Sequence, residues 1–146
     1  MSFSNLHLHI VYATKDRKPF LDPSTINRLG DYIGGITRTM EGTLLAANGT
    51  EDHIHLLVTI PPTLAAAELV RTIKSNSSKW IHKTFPEMID FAWQDGYSVF
   101  SVSHSAVPKV ISYIESQQEH HTTMSFQDEL RRLLARHEIK YDERYL

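Results

Sequence analysis

Two histidines that flank a single residue are the first feature of this sequence that could do chemistry. His53 and His55 stand in the apolar segment Asp52-His53-Ile54-His55-Leu56. On a β-strand, residues two apart point to the same face, so this spacing would present two imidazoles side by side while Ile54 and Leu56 face the core. Paired imidazoles can chelate a divalent metal ion. An isolated pair of this kind can equally be two surface histidines on a half-exposed strand.

A second pair, His7 and His9, has the same spacing in the first strand-like segment. Spacing alone does not choose between the two pairs. If their strands were neighbours, all four histidines could converge into a site that suits zinc. The sequence contains no cysteine, so any metal must be held by histidine, carboxylate or amide groups.

A tyrosine and a glutamine form a third candidate group. Tyr113 and Gln117 are four residues apart in a segment that is predicted to be helical, with His120 one turn further on. Residues at this spacing lie on one face of a helix, so a phenol and an amide oxygen would be presented together. The alternative is a tyrosine at the boundary of an amphipathic helix, with its ring packed and its hydroxyl in water.

The charge of the sequence limits how it could bind nucleic acid. A formal net charge of −2 argues against non-specific coating of duplex DNA, which draws its affinity from many Lys and Arg contacts to phosphate. Local basic clusters could still contact phosphates, or could be solvated helix faces. The two clusters are Arg71, Lys74 and Lys79 in a predicted helix, and Lys15, Arg17 and Lys18 after the first predicted strand.

The pattern of apolar residues predicts a βαββαβ order followed by two further helices. Asp22 with Pro23, Ser105, and Ser125 with Asp128 mark helix starts, and Asn48-Gly49-Thr50 is typical of a hairpin turn. The predicted strands span residues 3–14, 42–48, 53–60 and 97–103, and the predicted helices span residues 23–40, 64–85, 106–120 and 126–134. This order indicates an α+β fold, a ferredoxin-like or RRM-like sandwich with additional C-terminal helices.

Length and hydrophobicity bound the class of protein. With 146 residues, 41% of them hydrophobic, the sequence is expected to bury one continuous core. No run approaches the roughly 20 apolar residues that a membrane span needs, and the amino terminus lacks the layout of a signal peptide. We therefore expect a cytoplasmic protein.

Five short stretches, in this order, resemble a known family. They are Ile10-Val11-Tyr12-Ala13-Thr14-Lys15, Asp52-His53-Ile54-His55-Leu56-Leu57-Val58, Trp93-Gln94-Asp95-Gly96-Tyr97, Phe100-Ser101-Val102-Ser103 and Tyr113-Ile114-Glu115-Ser116-Gln117. Together they are similar to the single-tyrosine transposases of bacterial insertion sequences, which belong to the His-hydrophobic-His endonuclease superfamily, and to their repeat-associated relatives. The similarity covers nearly the whole chain, so residues 1–146 are expected to form a single transposase-like catalytic domain.

The resemblance implies a site and a reaction. His53, His55 and Gln117 would bind a divalent ion, and Tyr113 would attack the scissile phosphate of single-stranded DNA. Attack would leave a 5′-phosphotyrosine and a free 3′ hydroxyl, and the phosphotyrosine preserves the energy needed for rejoining. A Mg²⁺ or Mn²⁺ ion with only a few protein ligands keeps coordination positions open for a phosphate oxygen. Imidazole ligands suit Mn²⁺ at least as well as Mg²⁺.

The resemblance also implies partners. Family members recognise DNA hairpins and act as homodimers in which the helix carrying Tyr113 can work in trans. The cluster of Arg71, Lys74 and Lys79 is the first choice for phosphate contacts and the cluster of Lys15, Arg17 and Lys18 the second, while His9 is expected near the site without being a ligand. Two other functions stay open: a catalytically silent hairpin-binding protein, and a metallohydrolase in which water attacks the phosphate.

Overall fold

The structure of the protein is a computed structural model, which describes residues 1–121 and 123–146. None of the helices in these two ranges combines the length and the hydrophobicity of a membrane span. The strands are β1 (Leu6–Ala13), β2 (Thr43–Thr50), β3 (His53–Ile60) and β4 (Ser98–Val102), and the helices are α1 (Pro23–Thr39), α2 (Ala66–Thr84), α3 (Val107–Glu115), α4 (Gln117–His120) and α5 (Phe126–Arg136).

The four strands form one antiparallel sheet in the order β2-β3-β1-β4. Helix α1 connects β1 to β2, and helix α2 connects β3 to β4, so each helix spans a crossover between strands that are not neighbours. The predicted βαββαβ sandwich with additional C-terminal helices is confirmed. The central pair, β1 and β3, sets Val11 opposite His55 and Ala13 opposite His53.

The two faces of the sheet carry different layers. Ile54, Leu56 and Val58 of β3 pack in one core with α1 and α2. The alternate residues point the other way, because successive side chains of a strand face opposite sides. On that second face Phe100 of β4 packs with the apolar side of α5, including Leu133. The histidines of β3 therefore lie on the face that α1 and α2 leave free.

Two of the predicted helix starts are confirmed by their capping geometry. The Asp22 side chain accepts a hydrogen bond from the Thr25 backbone N–H at 2.8 Å, with Pro23 in the first helical turn. The Ser125 hydroxyl accepts from the Asp128 backbone N–H at 3.2 Å and starts α5. The prediction that Ser105 caps α3 is wrong, because α3 follows a short 3₁₀ turn and has no side-chain cap.

Several predicted boundaries also differ from the structure. The hairpin turn is formed by Glu51 and Asp52, not by residues 48–50, which continue β2 as far as Thr50. The helix predicted over residues 106–120 is broken at Ser116 into α3 and α4. The first strand starts at Leu6, and α5 extends to Arg136, past the predicted end.

Candidate active site

His53 and His55 lie fully buried on the face of β3 that is turned away from α1 and α2. The Nδ1 atom of His53 lies 2.8 Å from Asp52 Oδ1 and 2.9 Å from Thr50 Oγ1, both in the adjoining hairpin. These bonds fix the orientation of the ring, so its Nε2 atom faces the interior of the site. The Nδ1 atom of His55 is held in the same way, 2.8 Å from His9 Nε2 on the neighbouring strand.

Glu129 of α5 is the residue around which the other side chains are arranged. Its Oε1 atom lies 3.0 Å from His55 Nε2 and 3.3 Å from His53 Nε2. Its Oε2 atom accepts hydrogen bonds from Gln117 Nε2, at 2.9 Å, and from the Tyr113 hydroxyl. Glu129 is only 2% exposed, so these partners replace the water that a carboxylate would otherwise require.

The pKa values of the cluster follow from burial and from these hydrogen bonds. Burial disfavours the ionised carboxylate, but the hydrogen bonds from His53 and His55 outweigh it and hold the pKa of Glu129 well below its usual range. Burial would also lower the pKa of His53, yet the bonds to Asp52 and Glu129 raise that pKa to about 9. For His55 and His9 burial prevails, and it lowers their pKa values to about 4 and about 3.

The donor atoms of this cluster fit a small divalent cation. His53, His55 and Glu129 each offer one ligand atom, and these atoms lie within 4.8 Å of one another. Two imidazole nitrogens with one carboxylate oxygen match the preferences of Mn²⁺ and of other first-row metals. Gln117, the predicted third ligand, is buried in the same cluster with its Oε1 atom 3.0 Å from His53 Nε2.

Tyr113 of α3 reaches this cluster from the same chain. Its hydroxyl donates to Glu129, and its ring lies 5.8 Å from the ring of His55 and is stacked on His120 at 4.7 Å. Burial and the nearby Glu129 carboxylate both raise the pKa of the Tyr113 hydroxyl. The phenol is therefore neutral near pH 7, and it must lose its proton when it attacks a phosphate.

The second histidine pair does not form a common site with the first. His9 does adjoin His55, as expected for a residue near the site. His7 instead lies with its Nδ1 atom 2.8 Å from Thr59 Oγ1 and its Nε2 atom 3.2 Å from His104 Nδ1. The hypothesis of a four-histidine zinc site is therefore wrong.

The structure places the first predicted phosphate-binding cluster on the face of the sheet opposite Tyr113. Arg71 and Lys79 are exposed on α2, which packs on the opposite face of the sheet. Lys74 is not available to the same extent, because its Nζ atom donates to the carbonyls of Gln94 and Gly96 at 2.6 and 2.8 Å. The second cluster is exposed and consists of Lys15, Arg17 and Lys18. It follows the end of β1, where Ala13 pairs with His53.

Glu129 and His121 also lie in this cluster, and the sequence analysis assigned a role to neither of them. His121 lies with Nε2 3.0 Å from Glu129 Oε1, and its ring is 4.4 Å from the ring of His53. A signal for Glu129 was present in the sequence, since a helix that starts at Phe126 with Leu130 and Leu133 on its apolar side also turns residue 129 inward. A carboxylate on a buried helix face requires partners, which points to a polar site.

Comparisons with known proteins agree with this architecture. The model of the family described as IS200-like transposases matches residues 2–117. The chain is 24% identical over 119 residues to the ISDra2 transposase TnpA of Deinococcus radiodurans, covering 78% of this chain and 85% of the relative. It is 27% identical over 121 residues to the transposase for insertion sequence element IS200 of Salmonella typhimurium, covering 79% and 78%.

Solved structures show the same fold. A crystallised Deinococcus radiodurans protein, described as a candidate transposase, has a TM-score of 0.67 at 26% identity, covering 80% of this chain and 93% of that one. The REP-associated tyrosine transposase bound to a REP hairpin has a TM-score of 0.62 at 15% identity, covering 83% and 71%. The family model matches residues 2–117, well over half of the chain, so the chain belongs to the IS200-like transposases.

Proposed function

We propose that this transposase cuts and rejoins single-stranded DNA through a covalent bond to Tyr113. The observation that carries the proposal is that Glu129 contacts both the Tyr113 hydroxyl and the two histidines of β3. A nucleophile and a cation site that share one carboxylate can act on the same phosphate group. The role of each of these residues is part of the proposal.

The reaction is a transesterification at the phosphorus of a phosphodiester. The Tyr113 oxygen attacks the phosphorus of a phosphodiester, a bond forms between that oxygen and phosphorus, and the bond from phosphorus to the 3′ oxygen breaks. Glu129 holds the hydroxyl in place by accepting its hydrogen bond, and the phenolic proton passes to solvent as the oxygen attacks. The departing 3′ oxygen takes up a proton to become a hydroxyl. In rejoining, a 3′ hydroxyl of another strand attacks the phosphotyrosine and releases the tyrosine, so no ATP is consumed.

A divalent ion, Mn²⁺ or Mg²⁺, would be held by His53, His55 and Glu129, with Gln117 as an alternative or additional ligand. When bound, such an ion polarises a phosphate and offsets the negative charge that builds in the transition state. The fold orients the imidazoles of His53 and His55 without the ion. Bonds to Asp52 and His9 orient the two imidazoles, so little reorganisation is needed when the cation binds.

The partner is proposed to be single-stranded DNA with a hairpin, because a neighbour of the same fold is bound to a REP hairpin. Arg71, Lys74 and Lys79, and then Lys15, Arg17 and Lys18, remain the proposed contacts for the body of the hairpin.

We propose that cleavage occurs in cis, because one chain brings Tyr113 against Glu129. A homodimer that exchanges the Tyr113 helix, which the resemblance implies, would need that helix to leave Glu129. Dimerisation itself stays a prediction.

A catalytically silent hairpin-binding protein is the second candidate function. The cluster of Glu129, Tyr113 and His55 speaks against it, because titratable groups with strongly shifted pKa values gather at functional sites. A metallohydrolase in which water attacks is the third. The Tyr113→Phe variant distinguishes all three, because it removes only the attacking oxygen.

The test is a search for a covalent adduct. The protein is incubated with hairpin DNA carrying a single-stranded extension, labelled at either the 5′ or the 3′ end, in the presence of Mn²⁺. We expect a denaturation-resistant adduct that carries the 3′ label, because the 5′-phosphate of the downstream fragment would be linked to Tyr113. Tyr113→Phe is expected to form no adduct and to show no cleavage.

Tyr32→Phe is the matched control, because it removes a phenolic hydroxyl that lies on α1, away from the site. It should form the adduct at the wild-type rate. Cleavage that persists in Tyr113→Phe would favour the hydrolase. Intact binding without cleavage in the wild type would favour the silent binder, and an adduct that carries the 5′ label would reverse the proposed polarity.

A further inference from the structure

A groove beside Tyr113 is lined by cationic and aromatic side chains that the proposed chemistry does not use. It lies between β4, α3 and α5, has a volume of about 360 Å³, and is lined by residues that include Phe100, Lys109, Tyr113, Arg136 and His137. We propose that this α3–α5 groove binds the DNA strand that Tyr113 attacks, with Arg136 and Arg132 contacting phosphates next to the scissile one. The inference rests on the proposed function and deepens it.

A smaller pocket adjoins the groove at Tyr113. It measures about 170 Å³, shares Tyr113 and Arg136 with the groove, and adds His120, Glu129 and Arg132. Both spaces therefore meet at the hydroxyl-bearing ring. A strand lying in the groove would continue into this pocket across the attacking oxygen.

His120 is the second observation that points to a ligand in this pocket. Its Nε2 atom is buried and has no hydrogen-bond partner among residues 1–121 and 123–146. Its ring is stacked on Tyr113 at 4.7 Å, which fixes its orientation. A buried polar atom without a partner is costly, and a phosphate oxygen in the pocket would satisfy it if this nitrogen carries the proton.

The charges around the groove favour an anion over a cation or a neutral ligand. Lys109, Arg132 and Arg136 are exposed, and none of them forms an ion pair with a carboxylate in the described part of the chain. The acidic residues of α5 are occupied elsewhere, because Asp128 pairs with Arg131 and Glu129 belongs to the buried cluster. Three such cations lie along the groove and its pocket. The backbone of a single strand is flexible, so its phosphates can reach cations at these positions.

An exposed aromatic face makes single-stranded nucleic acid a better fit than an isolated phosphate. His137 lies at the end of α5, exposed, with its ring stacked on Phe100 at 4.5 Å. Phe100 fixes one face of this ring, and the other face can receive an unpaired base. Stacking platforms beside cationic side chains are the common means by which proteins bind single strands without sequence preference.

The test compares two double variants that remove the same charge. Both are made in the Tyr113→Phe protein, which cannot form the covalent bond, and binding of a fluorescein-labelled oligodeoxythymidylate of about 12 nucleotides is followed by anisotropy. Arg132→Ala with Arg136→Ala should weaken binding at least about tenfold near 0.1 M salt. The slope of log affinity against log salt should fall by about 1.4, at about 0.7 for each phosphate that is no longer neutralised.

Arg38→Ala with Lys83→Ala is the matched control, because both side chains are exposed on α1 and α2, on the opposite face of the sheet, and it should weaken binding of this probe less than about twofold. Equal losses in the two double variants would overturn the inference, as would a parent protein that does not bind the oligonucleotide. Failure of the proposed function is a separate result. If the wild type forms no adduct but the α5 variant still loses affinity, the groove stands and the covalent chemistry does not.

Discussion

Glu129 accepts hydrogen bonds from a phenol, an amide and imidazoles while it is almost fully buried. A carboxylate in that position stays ionised only because its partners are donors, and the low pKa of Glu129 expresses their combined effect. The same donors would lose this partner if the side chain moved or lost its charge. Glu129 therefore links the stability of the cluster to its ability to hold a cation.

The charge of Glu129 is predicted to control metal affinity. Glu129→Gln keeps the size and an oxygen of the side chain but removes the negative charge, so Mn²⁺ binding measured by isothermal titration calorimetry should weaken at least about tenfold. Glu138→Gln, which removes the same charge from an exposed position just after α5, should bind Mn²⁺ as the wild type does. Wild-type affinity in Glu129→Gln would mean that Gln117 and the two histidines suffice.

The residues of the site differ in how far the sequence could predict them. The one-residue spacing of His53 and His55 predicts a shared face, because strand geometry fixes it locally. Tyr113 and Gln117 follow from helical spacing only in part, since the helix breaks between them at Ser116. The position of Glu129 depends on how α5 packs against the sheet, and no local rule gives that packing.

At the scale of elements, the backbones of β2 and β3 approach each other closely beside His53. Gly49 lies opposite Ile54 in this ladder. A Cβ atom at residue 49 would clash with the carbonyl oxygen of His53 and lie 3.0 Å from Ile54 Cα. The glycine that is typical of a turn in the sequence is instead required inside the strand, next to a proposed metal ligand.

Two glycine substitutions should have opposite effects on stability. Gly49→Ala forces backbone atoms of β3 apart and should lower the free energy of unfolding by about 2 kcal/mol or more. Gly30→Ala lies in α1, where the new Cβ atom would meet Ala47 Cβ at an ordinary 3.5 Å, and it should raise that free energy by about 0.5–1 kcal/mol. Urea unfolding of both variants checks this, and a stable Gly49→Ala protein would contradict the described packing.

The elements themselves show where sequence rules succeed and fail. Asp22 and Ser125 start their helices as predicted, because a capping side chain bonds to a backbone N–H three residues away. The end of α3 was not predictable in this way. The Asn48 side chain of β2 donates to the carbonyls of Ile114 and Glu115, both at 3.1 Å, and so caps the helix from a distant strand.

At the scale of the whole molecule, the larger apolar cluster and the polar cluster lie on opposite faces of the sheet. Helices α1 and α2 bury the larger apolar cluster on one face, and α5 and the polar cluster occupy the other. The order of elements, and with it the sandwich, could be predicted from the sequence because it follows from apolar periodicity. The meeting of β3, α3 and α5 at Glu129 could not, since it combines segments far apart in the sequence.

The most direct test of the proposed chemistry is to locate the nucleotide on the protein. The adduct formed with Mn²⁺ and single-stranded hairpin DNA is digested with nuclease and then with trypsin, and the peptides are analysed by mass spectrometry. Residues 110–131 lie between two trypsin sites, Lys109 and Arg131, and contain Tyr113 as their only tyrosine. We predict that the nucleotide mass is on this peptide and on Tyr113. A nucleotide on any other residue, or strand cleavage without an attached nucleotide, would contradict the proposed chemistry.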